Sequence, residues 1–78
     1  MGKCLVSNNI RKQRFLHDEM TQAQLAEKIG VTRQTVVAIE KEKYSPSLEL
    51  AFQIAEVFNM SLDEIFTFHP ERKEGKSK

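Results

Sequence analysis

The segment Thr21–Lys43, TQAQLAEKIGVTRQTVVAIEKEK, decides the fold. Thr21 and Gln24 have the spacing of a capping box, in which each side chain accepts a hydrogen bond from the other residue's backbone N–H at the start of a helix. Gly30 supplies the left-handed residue that ends this helix, and Thr32 provides the next N-cap. The segment is therefore predicted to contain two short helices joined by a tight turn.

Similar start and stop signals divide the rest of the chain. The predicted helices are 8–18, opened by Ser7 or Asn8, then 21–29, 32–41 and 48–58, the last capped by Ser47 and stopped by Asn59, and a short helix that begins with the capping box Ser61–Glu64 and contains Ile65. Lys3–Val6 and Phe66–Phe68 are β-prone and are candidates for short strands. Residues 70–78, PERKEGKSK, have no apolar residue and are predicted to be disordered.

This organisation predicts one all-α domain of five helices, with short terminal β-strands as an open option. The domain is assigned to residues 8–66, with an N-terminal extension at 1–7 and a C-terminal tail at 67–78 that is largely disordered from Pro70. A chain of 78 residues is near the lower limit for a self-sufficient core, so association with a second copy is expected to add stability.

The overall charge says little about the partner. The net charge is +1, but residues 1–46 carry a net +3 and residues 47–78 a net −2, which suggests a working N-terminal half or ordinary scatter. The single cysteine, Cys4, excludes an internal disulfide and fits a reducing cytoplasm. Since the sequence has no apolar run of about 18 residues and no signal-peptide pattern, a cytoplasmic protein without a membrane segment is expected.

The predicted third helix has two different faces when residues are placed about 100° apart around its axis. Val36, Ile39 and Thr35 gather on one side, where they can pack on the first two helices. The opposite side has no acidic residue and consists of Arg33, Gln34, Val37, Ala38 and Lys41. Arginine can bond bidentately to guanine and glutamine to adenine, and small apolar groups fit against a thymine methyl.

A solvated polar face is the competing interpretation of this surface. The outward Val37 and the first-turn position of Arg33 and Gln34 favour DNA reading, because helix-turn-helix proteins place the start of their second helix against base edges. Thr21 and Gln22 open the preceding helix, where free N–H groups and the helix dipole favour a phosphate. The residues therefore predict a helix-turn-helix.

The chain resembles the XRE family of Cro/repressor-type helix-turn-helix regulators over about residues 8–66. The matching residues are Met20–Gln22, Leu25-Ala26, Ile29–Arg33, Thr35-Val36, Ile39-Glu40, Pro46–Leu48, Ile54-Ala55 and Ser61–Ile65. The resemblance implies a compact, five-helix, lambda-repressor-like domain that binds double-stranded DNA as a homodimer. It places the helix Arg33–Lys41 in the major groove.

The resemblance also implies roles for individual side chains. Base contacts are expected from Arg33, Gln34, Val37 and Ala38. Phosphate contacts are expected from Gln22, Thr32, Thr35, Lys41, Lys43 and Tyr44. Thr21 is added to this set because it opens the second helix. Gln22 is further expected to brace Gln34, and Arg14 and Glu40 are expected to form a structural ion pair.

Two positions depart from the family pattern. Lys41-Glu42 replaces the usual Asn-Gly after the recognition helix, so a left-handed conformation there costs about 1 kcal/mol. Glu42 also places an acid near the expected phosphate backbone. Gln13 replaces a usual leucine in the first helix, so the packing of that helix is expected to differ.

The predicted fourth helix is too apolar for a single core. Only Glu49, Gln53 and Glu56 are clearly polar, whereas helices facing one core show an apolar stripe about 100° wide. The surplus apolar residues suggest a second buried contact, and the candidate dimer patch is Leu50, Val57, Phe66 and Phe68. The alternative is that the fifth helix and the terminal segments cover these residues within one chain.

Catalysis, metals and cofactors are not indicated. His17, His69 and Cys4 have no zinc-site spacing, and the sequence has no nucleophile motif or glycine-rich phosphate loop. We therefore expect no enzyme, no metal and no cofactor. The favoured function is a sequence-specific DNA-binding regulator, with repression preferred over activation. The alternatives are an antitoxin-type module that binds a small protein partner and autoregulates its operon, and an adaptor that no longer reads DNA.

Overall fold

The computed structural model describes residues 5–72. In chain order the elements are strand β1 (Val6–Asn8), helices α1 (Ile10–Leu16), α2 (Gln22–Ile29), α3 (Arg33–Glu40), α4 (Leu48–Phe58) and α5 (Leu62–Ile65), strand β2 (Phe66–Phe68) and a 3₁₀ turn at Pro70–Arg72. The five predicted helices are therefore confirmed, together with the two-stranded sheet that was left as an option.

Side-chain caps fix the starts of the three middle helices. The Thr21 N–H donates to Gln24 Oε1 at 2.8 Å, and the Gln24 N–H donates to Thr21 Oγ1 at 3.0 Å, so the predicted capping box of α2 is confirmed. The Thr35 N–H donates to the Thr32 hydroxyl oxygen at 3.3 Å at the start of α3. Ser47 caps α4 in the same way. These local bonds satisfy N–H groups that the first helical turn leaves without partners.

The same three helices end in Schellman motifs. In each motif a left-handed residue follows the helix, and two backbone hydrogen bonds close the last turn. The left-handed residues are Gly30, Glu42 and Asn59, with φ of 74°, 62° and 55°. The turn after α3 thus adopts the left-handed conformation without glycine, at a cost of about 1 kcal/mol.

The first helix is shorter than predicted at both ends. Its N-cap is Asn9 rather than Ser7 or Asn8, because residues 6–8 form a strand. Asn8 still contributes to the helix start, since its Oδ1 accepts a hydrogen bond from the Ile10 N–H at 3.1 Å. At the other end, helical geometry stops at Leu16, and residues 18 and 19 both have positive φ.

The sheet joins the two ends of the domain. β1 and β2 are antiparallel, with Val6 opposite Phe68 and Asn8 opposite Phe66. The predicted strand at Phe66–Phe68 is confirmed, whereas the predicted first strand at Lys3–Val6 is wrong in position because the pairing runs over Val6–Asn8. Residues 3 and 4 lie outside the described range.

The start of the C-terminal tail also differs from the expectation. Residues 70–72 form a 3₁₀ turn, and Arg72 Nη1 donates to Glu42 Oε1 at 2.9 Å. The prediction of disorder from Pro70 is therefore wrong for these three residues, because an ion pair with a distant turn supplies contacts that their own composition does not reveal. Residues 73–78 lie outside the described range.

The core lies between the helices and is built from aliphatic side chains with one aromatic ring. Its buried members include Ile10, Leu25, Ala26, Ile29, Val36, Ile39, Leu50, Ile54, Ala55, Phe58 and Ile65. Gln13 is the buried polar residue of the described part of the chain. His17 Nδ1 lies 2.8 Å from the Gln13 carbonyl oxygen, and the His17 ring packs edge-on against Phe58 with centroids 5.0 Å apart.

The dimer patch predicted on α4 requires a correction. Leu50 is buried in the core, and Val57 is partly buried against it, so neither offers a free surface. The reason is that α2 and α5 both pack on α4. Two neighbouring helices bury a wider apolar surface of α4 than one would. The exposed apolar side chains of α4 are instead Leu48 and Phe52, with exposed fractions of 68% and 55%. Of the two aromatic residues in the predicted patch, Phe66 packs partly on the core and Phe68 is 60% exposed.

Candidate nucleic-acid interface

The outer face of α3 presents the residues that the sequence singled out for base contacts. Arg33 and Gln34 are exposed, and Val37 and Ala38 are half-buried. The opposite face carries Val36 and Ile39, which are buried in the core. The helix therefore offers a mixed surface of hydrogen-bond donors, an acceptor and small apolar groups, which matches the chemistry of base edges in a major groove.

A groove of about 590 Å³ lies beside this face, between α1, the start of α2 and α3. Four cations line it, Arg11, Arg14, Arg33 and Lys41, against two acids, the exposed Glu19 and Glu40, which is paired with Arg14. Thr21, Gln22 and Ala23 line it at the start of α2. The first turn of a helix leaves N–H groups without intrahelical partners, and the helix dipole adds a partial positive charge there. Cations and a helix start thus converge on one groove, which is suited to a phosphate.

Arg11 is a member of this groove that the sequence reasoning missed. The available signal was its spacing, because residues three apart on a helix share a face and Arg11 precedes Arg14 by three.

An ion pair between Arg14 and Glu40 ties α1 to α3. Arg14 Nε donates to Glu40 Oε2 at 2.6 Å and Nη2 donates to Oε1 at 3.1 Å, while Nη1 donates to the Met20 carbonyl at 2.7 Å. The two side chains are only 14% and 8% exposed. Glu40, the one acid of α3, is therefore neutralised by a side chain from another helix.

Gln22 differs from its expected role. Its Nε2 donates to Glu40 Oε1 at 3.2 Å, so its amide joins the Arg14–Glu40 pair. The expected bracing of Gln34 by Gln22 is wrong for this conformation, because the carboxylate of Glu40 is the stronger acceptor within reach. Gln34 keeps an exposed side chain.

The turn after α3 carries further cations and a tyrosine. Lys41, Lys43 and Tyr44 are exposed. The Lys43 N–H donates to the Ala38 carbonyl at 2.9 Å, which holds this turn in its Schellman conformation. Asn8 Nδ2 also donates to the Ile39 carbonyl at 2.9 Å, so the first strand supports the end of α3.

The threonines proposed for phosphate contacts also serve as caps. Thr21 and Thr32 are exposed and Thr35 is half-buried. The hydroxyl oxygens of Thr32 and Thr35 lie 3.1 Å apart and are hydrogen-bonded to each other. A hydroxyl that accepts a bond from a backbone N–H still has a proton to donate, so capping itself does not prevent a contact with phosphate. One of the Thr32 and Thr35 hydroxyls donates its proton to the other, and the second keeps a proton for such a contact.

The acidic residue of this turn is paired. Glu42 Oε1 and Arg72 Nη1 are 2.9 Å apart, and both side chains are 27% exposed. Arg72 is a second residue that the sequence reasoning missed. No local signal points to it, because it lies 30 residues away from Glu42 in the chain.

Two further titratable side chains, His69 and Glu71, are hydrogen-bonded to each other after β2. His69 bridges Ser7 Oγ, which is 2.7 Å from Nε2, and Glu71 Oε2, which is 3.0 Å from Nδ1. A hydrogen bond from the backbone lowers the pKa of the exposed Glu71, and the contact with His69 lowers it further. Between residues 5 and 72, no group of three His, Cys, Asp or Glu side chains is arranged to hold a metal ion. Over the same range, no helix is both long and apolar enough to cross a membrane.

Known proteins share this sequence pattern and this fold. The sequence profile of the helix-turn-helix family matches residues 10–65. An HTH-type transcriptional regulator of Methanocaldococcus jannaschii is 49% identical over 63 residues, covering 81% of this chain and 94% of that protein. A second such regulator, from Archaeoglobus fulgidus, is 53% identical over 57 residues, covering 73% of this chain and 81% of that protein.

Solved structures agree with the fold. The crystal structure of a Bacteroides fragilis protein superposes with a TM-score of 0.69 at 24% identity, covering 80% of this chain and 98% of that one. At this identity the likeness concerns the fold alone. The sequence matches, which are closer, carry the assignment: the chain belongs to the XRE-type helix-turn-helix family of DNA-binding transcriptional regulators.

Proposed function

We propose that this protein is a sequence-specific transcriptional regulator that inserts α3 into the major groove of double-stranded DNA and represses by occupying a promoter. The observation that carries the proposal is the outer face of α3. Arg33 and Gln34 are exposed in its first turn, and the acid of the helix, Glu40, is engaged by Arg14 and Gln22. An acid-free face of this composition suits base edges flanked by phosphates.

In the proposed complex the side chains have two kinds of role. Arg33, Gln34, Val37 and Ala38 read bases. Phosphates are held by residues around that face, namely Arg11, Thr21, Gln22, Thr32, Thr35, Lys41, Lys43 and Tyr44. The converging cations of the 590 Å³ groove and the adjoining start of α2 support this division, since a helix N-terminus favours an anion.

The proposed regulator is a homodimer that associates through an apolar face which keeps Phe68 of the predicted patch but has other residues of α4. This face comprises Leu48 and Phe52 on α4 and Phe68 on β2, which are all more than half exposed. Beside it lies a groove of about 460 Å³, which is lined mainly by Val6, Pro46, Leu48, Ala51, Leu62, Phe66 and Phe68.

Two features support a symmetric dimer. A two-fold interface requires one surface that complements itself, and this face has both projecting side chains and a groove. Large exposed apolar patches also mark protein interaction sites. Two copies would present their α3 helices to half-sites about 34 Å apart, which is one turn of DNA.

Selection of bound fragments from random DNA tests the proposal. The expected product is an enriched, approximately palindromic sequence whose half-sites are one helical turn apart. Equal affinity for selected and random DNA at about 150 mM salt would contradict sequence-specific binding, because non-specific binding is essentially electrostatic. Placing the selected site in a promoter before a reporter gene then tests repression. Increased transcription on expression of the protein would contradict the repressor role.

A further inference from the structure

The structure assigns a function in DNA binding to the 3₁₀ turn at Pro70–Arg72, which lies outside the helix-turn-helix. We propose that Arg72 is a positioning residue that neutralises Glu42, so that the end of α3 can approach the phosphate backbone. This inference rests on the proposed DNA-binding function. Arg72 has no assigned contact with a base in this proposal, and it acts through its charge, which offsets the charge of Glu42.

The position of Glu42 makes its charge important. It is the left-handed residue of the Schellman motif after α3, and it lies between Lys41 and Lys43, which are exposed and are proposed to contact phosphates. An unpaired carboxylate at this position would repel the same phosphates. The backbone that carries this side chain is fixed at the end of α3, since the Glu42 N–H donates to the Ile39 carbonyl at 3.0 Å.

The guanidinium of Arg72 lies where it can neutralise the carboxylate of Glu42. Its Nη1 is 2.9 Å from Glu42 Oε1, and both side chains are about three-quarters buried. One residue, His69, separates β2 from the turn that carries Arg72. The Arg72 N–H closes this turn by donating to the His69 carbonyl at 3.0 Å. His69 is in turn hydrogen-bonded to Ser7 of β1. The guanidinium is therefore positioned by the terminal sheet.

Electrostatic arithmetic gives the proposal a measurable scale. Each phosphate that a protein cation neutralises contributes about 0.9 to the slope of log K against log salt. One unit of charge at the interface therefore changes the ratio of the affinities at about 50 and 200 mM salt about threefold. Removing Arg72 exposes the charge of Glu42 and lowers the local charge by one unit. Removing the charge of Glu42 raises it by one unit.

The test is a double-mutant cycle measured on one selected operator between about 50 and 200 mM salt. Arg72→Gln is expected to weaken binding at every salt concentration, by about threefold more at about 50 mM than at about 200 mM, so that the salt slope flattens by about 0.9. Glu42→Gln is expected to strengthen binding, again more at low salt, and to steepen the slope by a similar amount. The double variant Glu42→Gln/Arg72→Gln is expected to bind nearly as the unaltered protein does.

Matched controls separate interface charge from net charge. Lys28→Gln removes one positive charge, as Arg72→Gln does, but from an exposed lysine beside His17 and Val57. Glu56→Gln removes one negative charge, as Glu42→Gln does, but from the polar side of α4. Both controls are expected to leave affinity and slope unchanged. Midpoints of thermal unfolding check that all variants are folded at the assay temperature.

The outcomes are distinct. If Arg72 only pins the C-terminal turn, both single variants weaken binding or leave it unchanged, the slopes do not move in opposite directions, and the proposal is overturned. Equal effects in the controls also overturn it. If the unaltered protein shows no preference for any selected sequence, the proposed function itself fails, and this result is visible before any variant is made.

Discussion

Replacing Arg14 by methionine removes the cationic half of the ion pair between α1 and α3. The methionine side chain keeps most of the packing volume, but three hydrogen bonds are lost, two to Glu40 and one to the Met20 carbonyl. Glu40, with a side chain only 8% exposed, then keeps the Gln22 amide as its partner. The variant therefore leaves a nearly buried carboxylate without its counter-charge.

The expected cost follows from this burial. Breaking a buried ion pair costs about 3–5 kcal/mol, and because Arg14 is somewhat exposed we expect about 3 kcal/mol. For a domain of this size, 1 kcal/mol lowers Tm by about 4–8 °C, so the expected loss is about 12–24 °C. The total free energy of unfolding is about 4–12 kcal/mol for 78 residues, so this one change removes a substantial part of it.

A double-mutant cycle checks the reasoning by chemical denaturation and by circular dichroism during heating. Arg14→Met/Glu40→Met is expected to recover most of the loss, since two apolar side chains leave no unpaired charge. Arg11→Met, on the same helix but exposed, is the matched control and should change stability by less than about 0.5 kcal/mol. A loss below about 1 kcal/mol for Arg14→Met, or a double variant no better than the single one, would refute the argument.

Three further predictions concern recognition, backbone conformation and assembly. Arg33→Ala should relax base preference at one operator position by about 1–3 kcal/mol, whereas Lys43→Ala should weaken binding to all sequences evenly, as measured by titrating a panel of single-base operator variants. Gly30→Ala should lower the free energy of unfolding by about 1–2 kcal/mol in urea denaturation, because φ is 74° there although an added Cβ has open space around it. Phe52→Ser should shift the protein towards monomers in sedimentation with little loss of monomer stability, whereas Leu50→Ala should cost about 2–5 kcal/mol because that side chain is in the core.

Each of these predictions has a clear contrary result. Equal loss on every operator variant for Arg33→Ala would remove it from base recognition. An unchanged urea midpoint for Gly30→Ala would show that this turn does not need glycine at its left-handed position. A Phe52→Ser protein that sediments as the unaltered protein does would exclude that ring from the dimer interface.

The sequence predicted the middle of the domain well because the relevant signals are local. The hydroxyl caps of Thr21, Thr32 and Ser47 act within three residues, and the left-handed turns at Gly30 and Asn59 are set by the residue itself. These interactions bring backbone groups together wherever the segment lies in the fold. Helix starts and ends can therefore be predicted without knowledge of tertiary contacts.

The predictions that failed depend on contacts between distant residues. The first helix starts late because its expected first turn pairs with β2. The exposed apolar residues of α4 were misidentified because the coverage of a helix depends on which neighbours pack on it. The pairing of Glu42 with Arg72 spans 30 residues, and neither residue type indicates its partner. The outer face of α3 was identified correctly, since helical periodicity alone separates it from the buried face.

The terminal sheet has a consequence for the dynamics of the recognition helix. Its two strands have three residues each, so their pairing has few backbone hydrogen bonds. They come from opposite ends of the domain's sequence, so the pairing closes a long loop of chain. Such elements open by local unfolding more easily than the core does, and their amide hydrogens should exchange with solvent faster than those of Leu25 and Ile54. Opening would also release the Asn8 bond to Ile39 and the Arg72 bond to Glu42, both at the end of α3.

By thermodynamic linkage, a ligand that binds only the closed form suppresses that opening. Saturating the protein with operator DNA should therefore slow amide exchange at Asn9 and His69, whose N–H groups bond across the sheet to Ile65 and Leu5. Amide exchange beside the terminal sheet would thus report whether DNA is bound at α3.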